Sequence, residues 1–487
     1  MVDTTPAKRF RQPLNLIDKF YFALHEISQT MIFLADFQVR GDLSFEHFRK
    51  AYLATLDQLP VLKSVIRGDE GWFSRLWWEQ VDRDYSDTAE YVDLYRDGTI
   101  PPEESHRLYA DIFTKCSNTL WDIRQENPIH VKLIRRGKDL WSIFLLIHHA
   151  VADGHGTRAI IEVLSQNYYL ISQGETPSTE PIPQARRSYA KFILGTNPLK
   201  LITTFFYYMR YEFMNRPRAA TPFLTEWKQR NGIIRSVDLV LNRTTTQKII
   251  ERCRSLRITL NEAMVLACAR CVDRWLRTHE RIPGKISIAV PVNMRPYLKL
   301  DARSSVANCS VTMNINLRPS LMAHAARLIK AIRFQNYGLK KLRFPIIGII
   351  QTALFSWLPV RVLKRMMSQA IESGTAAKNT PTIGYSNVGM VFVDEQGEPF
   401  LIPVGPMAKV ESLRFSNPIS YPLAATMATI TYGGRILVSL SYLEPVLERH
   451  TMETLVRRYE QELFAVMDEK LLMDVALPPF SSELQGM

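Results

Sequence analysis

The sequence predicts an α/β protein in two halves, each a mixed sheet flanked by helices. Apolar segments of strand length alternate with helical periodicity through most of the 487 residues. One segment, 140–148, is apolar on both faces and runs directly into a Gly/Asp-rich turn and a helix, the pattern of a strand buried on both sides. The same alternation resumes after a stretch at 172–187 rich in Pro, Ser, Thr and Gln. A chain of this length exceeds one ordinary core and suits two domains of about 200 residues each.

The elements follow in order. Residues 31–39 form an apolar strand ending at Arg40, Gly41 and Asp42. Between 45 and 59, Phe45, Phe48, Tyr52, Leu53 and Leu56 share one helical side, Pro60 stops the helix, and 61–66 continues as an extended segment. The pattern loosens from 79 to 120. Two strands, 129–135 and 140–148, are joined by a turn through Arg136, Gly137, Lys138 and Asp139. A helix at 158–170 folds back on the sheet with apolar residues at 160, 161, 163, 164 and 168. In the second half, strands are expected at 237–241, 286–292, 311–317, 382–385, 424–431 and 436–442, with helices at 245–255, 261–277, 322–339 and 447–467. The expected division is 1–185, a linker or crossover at 186–230, and 231–487.

The net charge of +13 points to an anionic partner: a phosphorylated ligand or a lipid surface. Nucleic acid is not expected, because the basic residues are scattered and no finger, RRM-type motif or Lys/Arg block occurs. Five cysteines in a chain this long do not form a disulfide framework and fit a reducing compartment. Cys268 and Cys271 form a CxxC inside an apolar helical stretch, which reads as core rather than as a redox or zinc site. The polar N-terminus lacks the apolar run of a signal peptide, so a cytoplasmic protein is expected. Two apolar runs with basic flanks, 344–360 and 201–209, read either as core or as interfacial segments giving peripheral membrane contact.

The segment that carries chemistry holds His148, His149, Asp153, Gly154 and His155. Neighbours on a strand face opposite ways, so the two histidines cannot share one task. His149 shares a face with Ile147, Leu145 and Ile143 and emerges from an apolar wall, where an imidazole can accept a proton near neutral pH. Asp153 either caps the following helix or pairs with an arginine, and Gly154 permits an unusual backbone dihedral. A metal site from His148, His149, Asp153 and His155 is not expected, since opposed strand faces separate the first two and no completing ligand stands out.

Taken whole, the string resembles the HHxxxDG motif of the coenzyme A-dependent acyltransferase superfamily. That group includes chloramphenicol acetyltransferase, peptide-synthetase condensation domains, alcohol acyltransferases and wax ester synthase/diacylglycerol acyltransferases. Residues 31–66 resemble the opening strand–helix–strand of condensation and wax ester synthase proteins. Residues 289–295 resemble a PVxxR segment, 261–276 the helix before it, and 386–389 a late Ser-Asn motif. The resemblance implies two chloramphenicol-acetyltransferase-like domains with an active-site tunnel between them. It makes His149 the general base, with His148 and Gly154 structural beside it. Asp153 then braces the site through an arginine, for which Arg295 is the candidate against a solvated loop residue. Ser386 and Asn387 would position the acyl carbonyl or close the tunnel, if they are not simply turn residues.

It further implies no resident cofactor. An acyl-CoA would serve as co-substrate and a hydroxyl of hydrophobic or lipid-like character as acceptor. The alternatives are a free-standing condensation enzyme that takes acyl-carrier protein and forms an ester or amide, and a non-catalytic lipid-binding or scaffold protein. No GxSxG or similar nucleophile motif occurs, so no acyl-enzyme is required.

Overall fold

The computed structural model describes residues 9–27, 30–71, 75–185, 197–215, 220–224, 232–298, 306–340, 344–356, 358–376, 380–394, 396–405, 407–419, 421–465 and 468. The first half runs β1 (Arg11–Pro13), α1 (Leu16–Ile27), β2 (Ile32–Arg40), α2 (Phe45–Gln58), β3 (Ser64–Arg67), β4 (Trp77–Gln80), β5 (Ala89–Asp93), α3 (Pro102–Ser117), β6 (Ile129–Arg135), β7 (Leu140–His148) and α4 (Gly154–Ser172). The second runs α5 (Pro198–Asn215), β8 (Ile233–Leu241), α6 (Arg243–Ser255), α7 (Leu260–Thr278), β9 (Ile286–Asn293), α8 (Arg295–Leu298), β10 (Ser310–Leu317), α9 (Ala325–Lys340), α10 (Pro345–Ser356), α11 (Val360–Glu372), β11 (Ile383–Val391), β12 (Lys409–Ser416), β13 (Ala425–Tyr432), β14 (Arg435–Glu444) and α12 (Arg449–Ala465).

Two large sheets each carry a core. The first, in the order β12-β2-β7-β6-β5, centres on β7, whose residues Trp141–His148 are all buried. Its apolar side chains serve both faces: Ile143 and Leu145 meet α2 and α4, while Phe144 packs on Tyr109 and Phe113 of α3. That double burial is why the strand reads as a continuous apolar run. The sheet borrows β12 from the second half, paired antiparallel to β2 from Lys409↔Arg40 to Ser416↔Leu34. A small sheet, β1-β4-β3, lies apart from it.

The second large sheet has the order β10-β9-β11-β13-β14-β8. Its last hairpin turns at Gly433 and Gly434, with φ of +53° and +75°, the two left-handed positions that such a two-residue turn demands. One seam stays mostly open. β9 and β11 run parallel but pair only at Ile383↔Ile288 and Gly384↔Ala289, and β11 then bulges between Asn387 and Gly389.

One expectation needs correction and one open alternative is decided. Residues 60–63 form a turn of 3-10 helix that Pro60 opens, so the extended segment is only Ser64–Arg67. The run at 344–360 is divided between α10 and the start of α11, with Pro359 at the N-cap of α11. Within that run Phe344, Ile346, Ile347 and Ile349 are buried in the second core, not presented to a surface. No helix among the described residues is long and apolar enough to cross a membrane. All five cysteines are buried and free, and Cys271 donates to the Leu455 carbonyl at 3.2 Å.

Candidate active site

The strand β7 ends at a junction of the two halves. His148 pairs across from Ile32, and the His149 N–H extends the ladder by donating to the Met31 carbonyl at 2.8 Å. The chain then turns, and Asp153 caps α4 by accepting from the Gly156 N–H at 2.9 Å. Asp153 also accepts from Arg295 at 2.9 Å and from the Cys309 N–H at 2.8 Å. Capping and arginine pairing, set out as alternatives, thus occur together. Both members of the pair are buried, Asp153 at 4% exposure and Arg295 at 3%. Arg295 is the first residue of α8 and also donates to the Ala307 carbonyl at 2.8 Å, so it is no solvated loop residue.

Segment 306–309 is thereby clamped beneath the motif. From it Asn308 donates to the carbonyls of His149 at 2.7 Å and Ala150 at 2.9 Å. Its own carbonyl accepts from Asn15 at 3.0 Å. Asn15 opens α1, accepting from the N–H groups of Ile17 and Asp18. Tyr21 on that helix stacks on His149, with centroids 4.0 Å apart and 17° between planes. One turn later His25 meets the edge of His148 at 4.7 Å. α1 is not among the elements expected from the sequence. Its signal was an Asn followed by helical spacing of Asp18, Tyr21, Phe22 and His25 on one side.

The two histidines have different surroundings. His148 is fully buried; its Nδ1 accepts from the Ala150 N–H at 3.1 Å, which puts the proton of the neutral ring on Nε2. That Nε2 is buried without a hydrogen-bond partner among the described residues. Burial and the neighbouring His25 and His149 hold its pKa well below the ordinary histidine value. His149 is half-buried. Burial lowers its pKa as well, opposed by its own backbone carbonyl, the Asp153 charge and Asn308. For Asp153 burial acts upward, but the charge and hydrogen bonds of Arg295, with the Gly156 and Cys309 N–H groups, hold the carboxylate below its ordinary value. Tyr21 is raised by burial and by Asp153, so it stays protonated.

A cavity of about 670 Å³ opens beside this junction. Its wall is the open seam between β9 and β11, from Val290–Asn293 on one side and Tyr385–Gly389 on the other. Asp153, Gly154 and His155 form the edge nearest the motif. Ser386 and Asn387 both line it. Asn387 donates to the Asn261 side-chain carbonyl at 2.8 Å and accepts from the Gly389 N–H at 2.8 Å, so it holds the bulge of β11 against β13. His149 is not part of the lining; it lies at the strand end under Tyr21. Among the described residues no group of three His, Cys, Asp or Glu is placed to hold a metal ion.

Gly154 has no left-handed dihedral, contrary to the expectation for this position. A Cβ there would meet only Val388 Cγ2 at 3.7 Å, an ordinary contact. Gly156 is the tight position: a Cβ would lie 3.0 Å from Ala152 Cβ and 3.2 Å from the Ala307 carbonyl oxygen. Gly156→Ala is expected to destabilise the protein by about 1–3 kcal/mol through overpacking, and Gly154→Ala by less than about 0.5 kcal/mol. Urea denaturation of the two variants measures the contrast.

His25, His148 and His149 are each shifted down, and burial with the Arg83 charge pushes His130 down to about 4. The unfolded chain therefore binds protons more readily than the folded one below the ordinary histidine pKa. Their contribution is fully present above about pH 6.5 and is lost as pH falls through the depressed values. The urea midpoint is expected to fall between about pH 7 and pH 5, and substituting His148 by glutamine should flatten that slope.

No family model matches the chain. Among curated proteins it is similar to the nonribosomal peptide synthetase kk1B of Curvularia clavata, 26% identical over 155 residues or 31% of this chain. It is also similar to the cyclosporin synthetase simA of Tolypocladium inflatum, 23% identical over 200 residues or 40% of this chain. The chain spans about 1% of the length of each. Three solved structures extend the likeness to nearly the whole chain. The first condensation domain of the CDA synthetase matches with a TM-score of 0.67 at 14% identity, covering 95% of this chain and 97% of that one. The TRI3 trichothecene 15-O-acetyltransferase of Fusarium sporotrichioides matches at 0.63 and 12%, covering 92% and 94%. The starter condensation domain of rhizomide synthetase RzmA, a mutant in complex with C8-CoA and Leu-SNAC, matches at 0.65 and 12%, covering 94% and 95%. The chain thus has the two-lobed fold of condensation domains and related acyltransferases.

Proposed function

We propose that this protein is an acyltransferase that moves an acyl group from a pantetheine thioester to a neutral, hydrophobic hydroxyl acceptor, with His149 as general base. The observation that carries this reading is the placement of His149. Its ring sits at the end of a doubly buried strand under Tyr21, its carbonyl is tied to Asn308, and the chain runs on within four residues to Asp153 at the edge of a cavity of about 670 Å³.

Neutral His149 removes the proton from the acceptor hydroxyl as its oxygen attacks the thioester carbonyl. The tetrahedral oxyanion collapses, the carbon–sulfur bond breaks, and the imidazolium returns its proton to the departing thiolate. One ester forms and one thiol leaves, with no acyl-enzyme. A lowered His149 pKa supports this role, since the ring is then neutral and ready at neutral pH. Ser386, in the cavity wall, positions the acyl carbonyl, and Asn387, its amide engaged by Asn261, Met264 and the Gly389 N–H, acts by shaping that wall. Asp153 and Arg295 act through the segment they clamp and stay out of the reaction. The cavity wall favours a neutral acceptor: it mixes Val290, Pro291, Val292 and Val388 with Asn261, Asn293 and Asn336, and the Asp153 charge is already paired.

Acyl-CoA is the donor we favour, because an anionic cofactor suits a chain of net charge +13. A free-standing condensation enzyme fed by acyl-carrier protein is the second reading, supported by the partial likeness to peptide synthetases. The test is to offer acyl-CoAs of varied length and the same acyl groups on a carrier protein, each with long-chain alcohols and with amines, and to identify products by mass spectrometry. Ester from acyl-CoA supports the first reading; product from the carrier protein alone supports the second. No product from any pair would leave a lipid-binding or scaffold protein on this fold.

A further inference from the structure

We propose that α5 docks this protein onto an anionic lipid surface, a property independent of the reaction assigned above. Leu199, Ile202, Phe206, Met209 and Phe213 recur at alternating spacings of three and four, which sets them in one stripe along the helix. All five are exposed, with Leu199 at 72%, Phe206 at 66% and Phe213 at 75%. Phe205 widens the stripe and is also exposed. The opposite side holds the helix to the protein: Thr204 and Tyr208 are buried, and Tyr208 meets the edge of Phe344 at 5.6 Å. A helix with one side anchored and an aromatic stripe left in water matches the geometry of an interfacial helix.

Charge decides among the occupants. Between 186 and 218 the sequence has seven basic residues and one acid, Glu212. The net excess there is nearly half of the +13 carried by the whole chain. Such a stripe flanked by cations is complementary to acyl chains beneath anionic headgroups. The same spacing would suit pairing with a second copy, but two copies would double the basic excess of this stretch, in which Glu212 is the one acid. α5 packs on α10, which covers β10, and Ser310 and Ile315 of β10 line the cavity. Docking would therefore seat the cavity-bearing half on the membrane.

The experiment is co-sedimentation of the full chain with phosphatidylcholine vesicles, with and without phosphatidylserine, beside light scattering of the free protein. Wild type should bind the phosphatidylserine vesicles, weaken as salt rises, and bind phosphatidylcholine poorly. Phe206→Glu/Phe213→Glu should weaken binding by about tenfold or more, and Lys200→Glu/Arg210→Glu should remove the preference for anionic lipid. Thermal unfolding of both variants should match wild type, because the altered side chains are exposed. The proposal is overturned if wild type fails to bind either vesicle or if the glutamate variant binds equally well. It is also overturned if wild type is a dimer that the glutamate variant disperses without any vesicle binding.

Discussion

Asp153→Ala is expected to lower the free energy of unfolding by about 3–5 kcal/mol, the cost of stranding one partner of a buried ion pair. The change takes the carboxylate from the buried Arg295 guanidinium, strips α4 of its cap, and removes the acceptor at 2.8 Å from the Cys309 N–H. The cap alone accounts for about 1 kcal/mol. Asp153→Asn should cost less, because the amide oxygen can still accept from Gly156 or Cys309. Arg295→Met reverses the defect by stranding the carboxylate, and the Asp153→Asn/Arg295→Met double variant should fall short of the sum of the two singles. Urea denaturation across the four proteins measures this. Activity should suffer in parallel, since segment 306–309 carries the Asn308 that holds the His149 carbonyl.

His149→Ala is expected to reduce the acyl-transfer rate by about 10²–10⁴-fold with little change in KM for the donor. The loss belongs to the chemical step, because the half-buried ring gives up its stack on Tyr21, worth about 1 kcal/mol, too little to unfold the site. His148→Ala should behave in the opposite sense. It empties a buried site and orphans the Ala150 N–H, costing about 1–3 kcal/mol of stability, while the base remains. The pH profile separates them further. The wild-type rate should fall below an ionisation that lies under the ordinary histidine pKa, as the lowered His149 value requires, and that limb should vanish in His149→Ala.

Much of this was legible in the sequence. β6 and β7 have the expected bounds, because a strand apolar on both faces except for Ser142, beside a Gly-containing turn, leaves little freedom of register. Asp153 as a cap, and Arg295 as its partner among many arginines, followed from the motif and a family resemblance. What was hidden depends on distance along the chain. Periodicity says which side of a helix is apolar, never what that side meets, so α1 and its Tyr21 and His25 gave no hint of the histidines more than a hundred residues away. Asn308 and Cys309 sit in a segment with no periodicity at all, and their importance comes from Arg295 and Asp153 closing on it. The cavity lies where two strands part after two pairs, beside a bulge held by Asn387, features of register that a single strand's composition cannot report. Gly154 was given the conformational role that sterics assign instead to Gly156 as a close-packing position.

The most direct test of the central claim is a side-by-side assay of wild type and His149→Ala that follows free thiol and ester together, from an acyl-CoA and a long-chain alcohol. Thiol and ester are expected in equal amounts, with thiol release that depends on the alcohol and a loss of about 10²–10⁴-fold in the variant. Thiol released without ester, or equal rates from the two proteins, would contradict that claim.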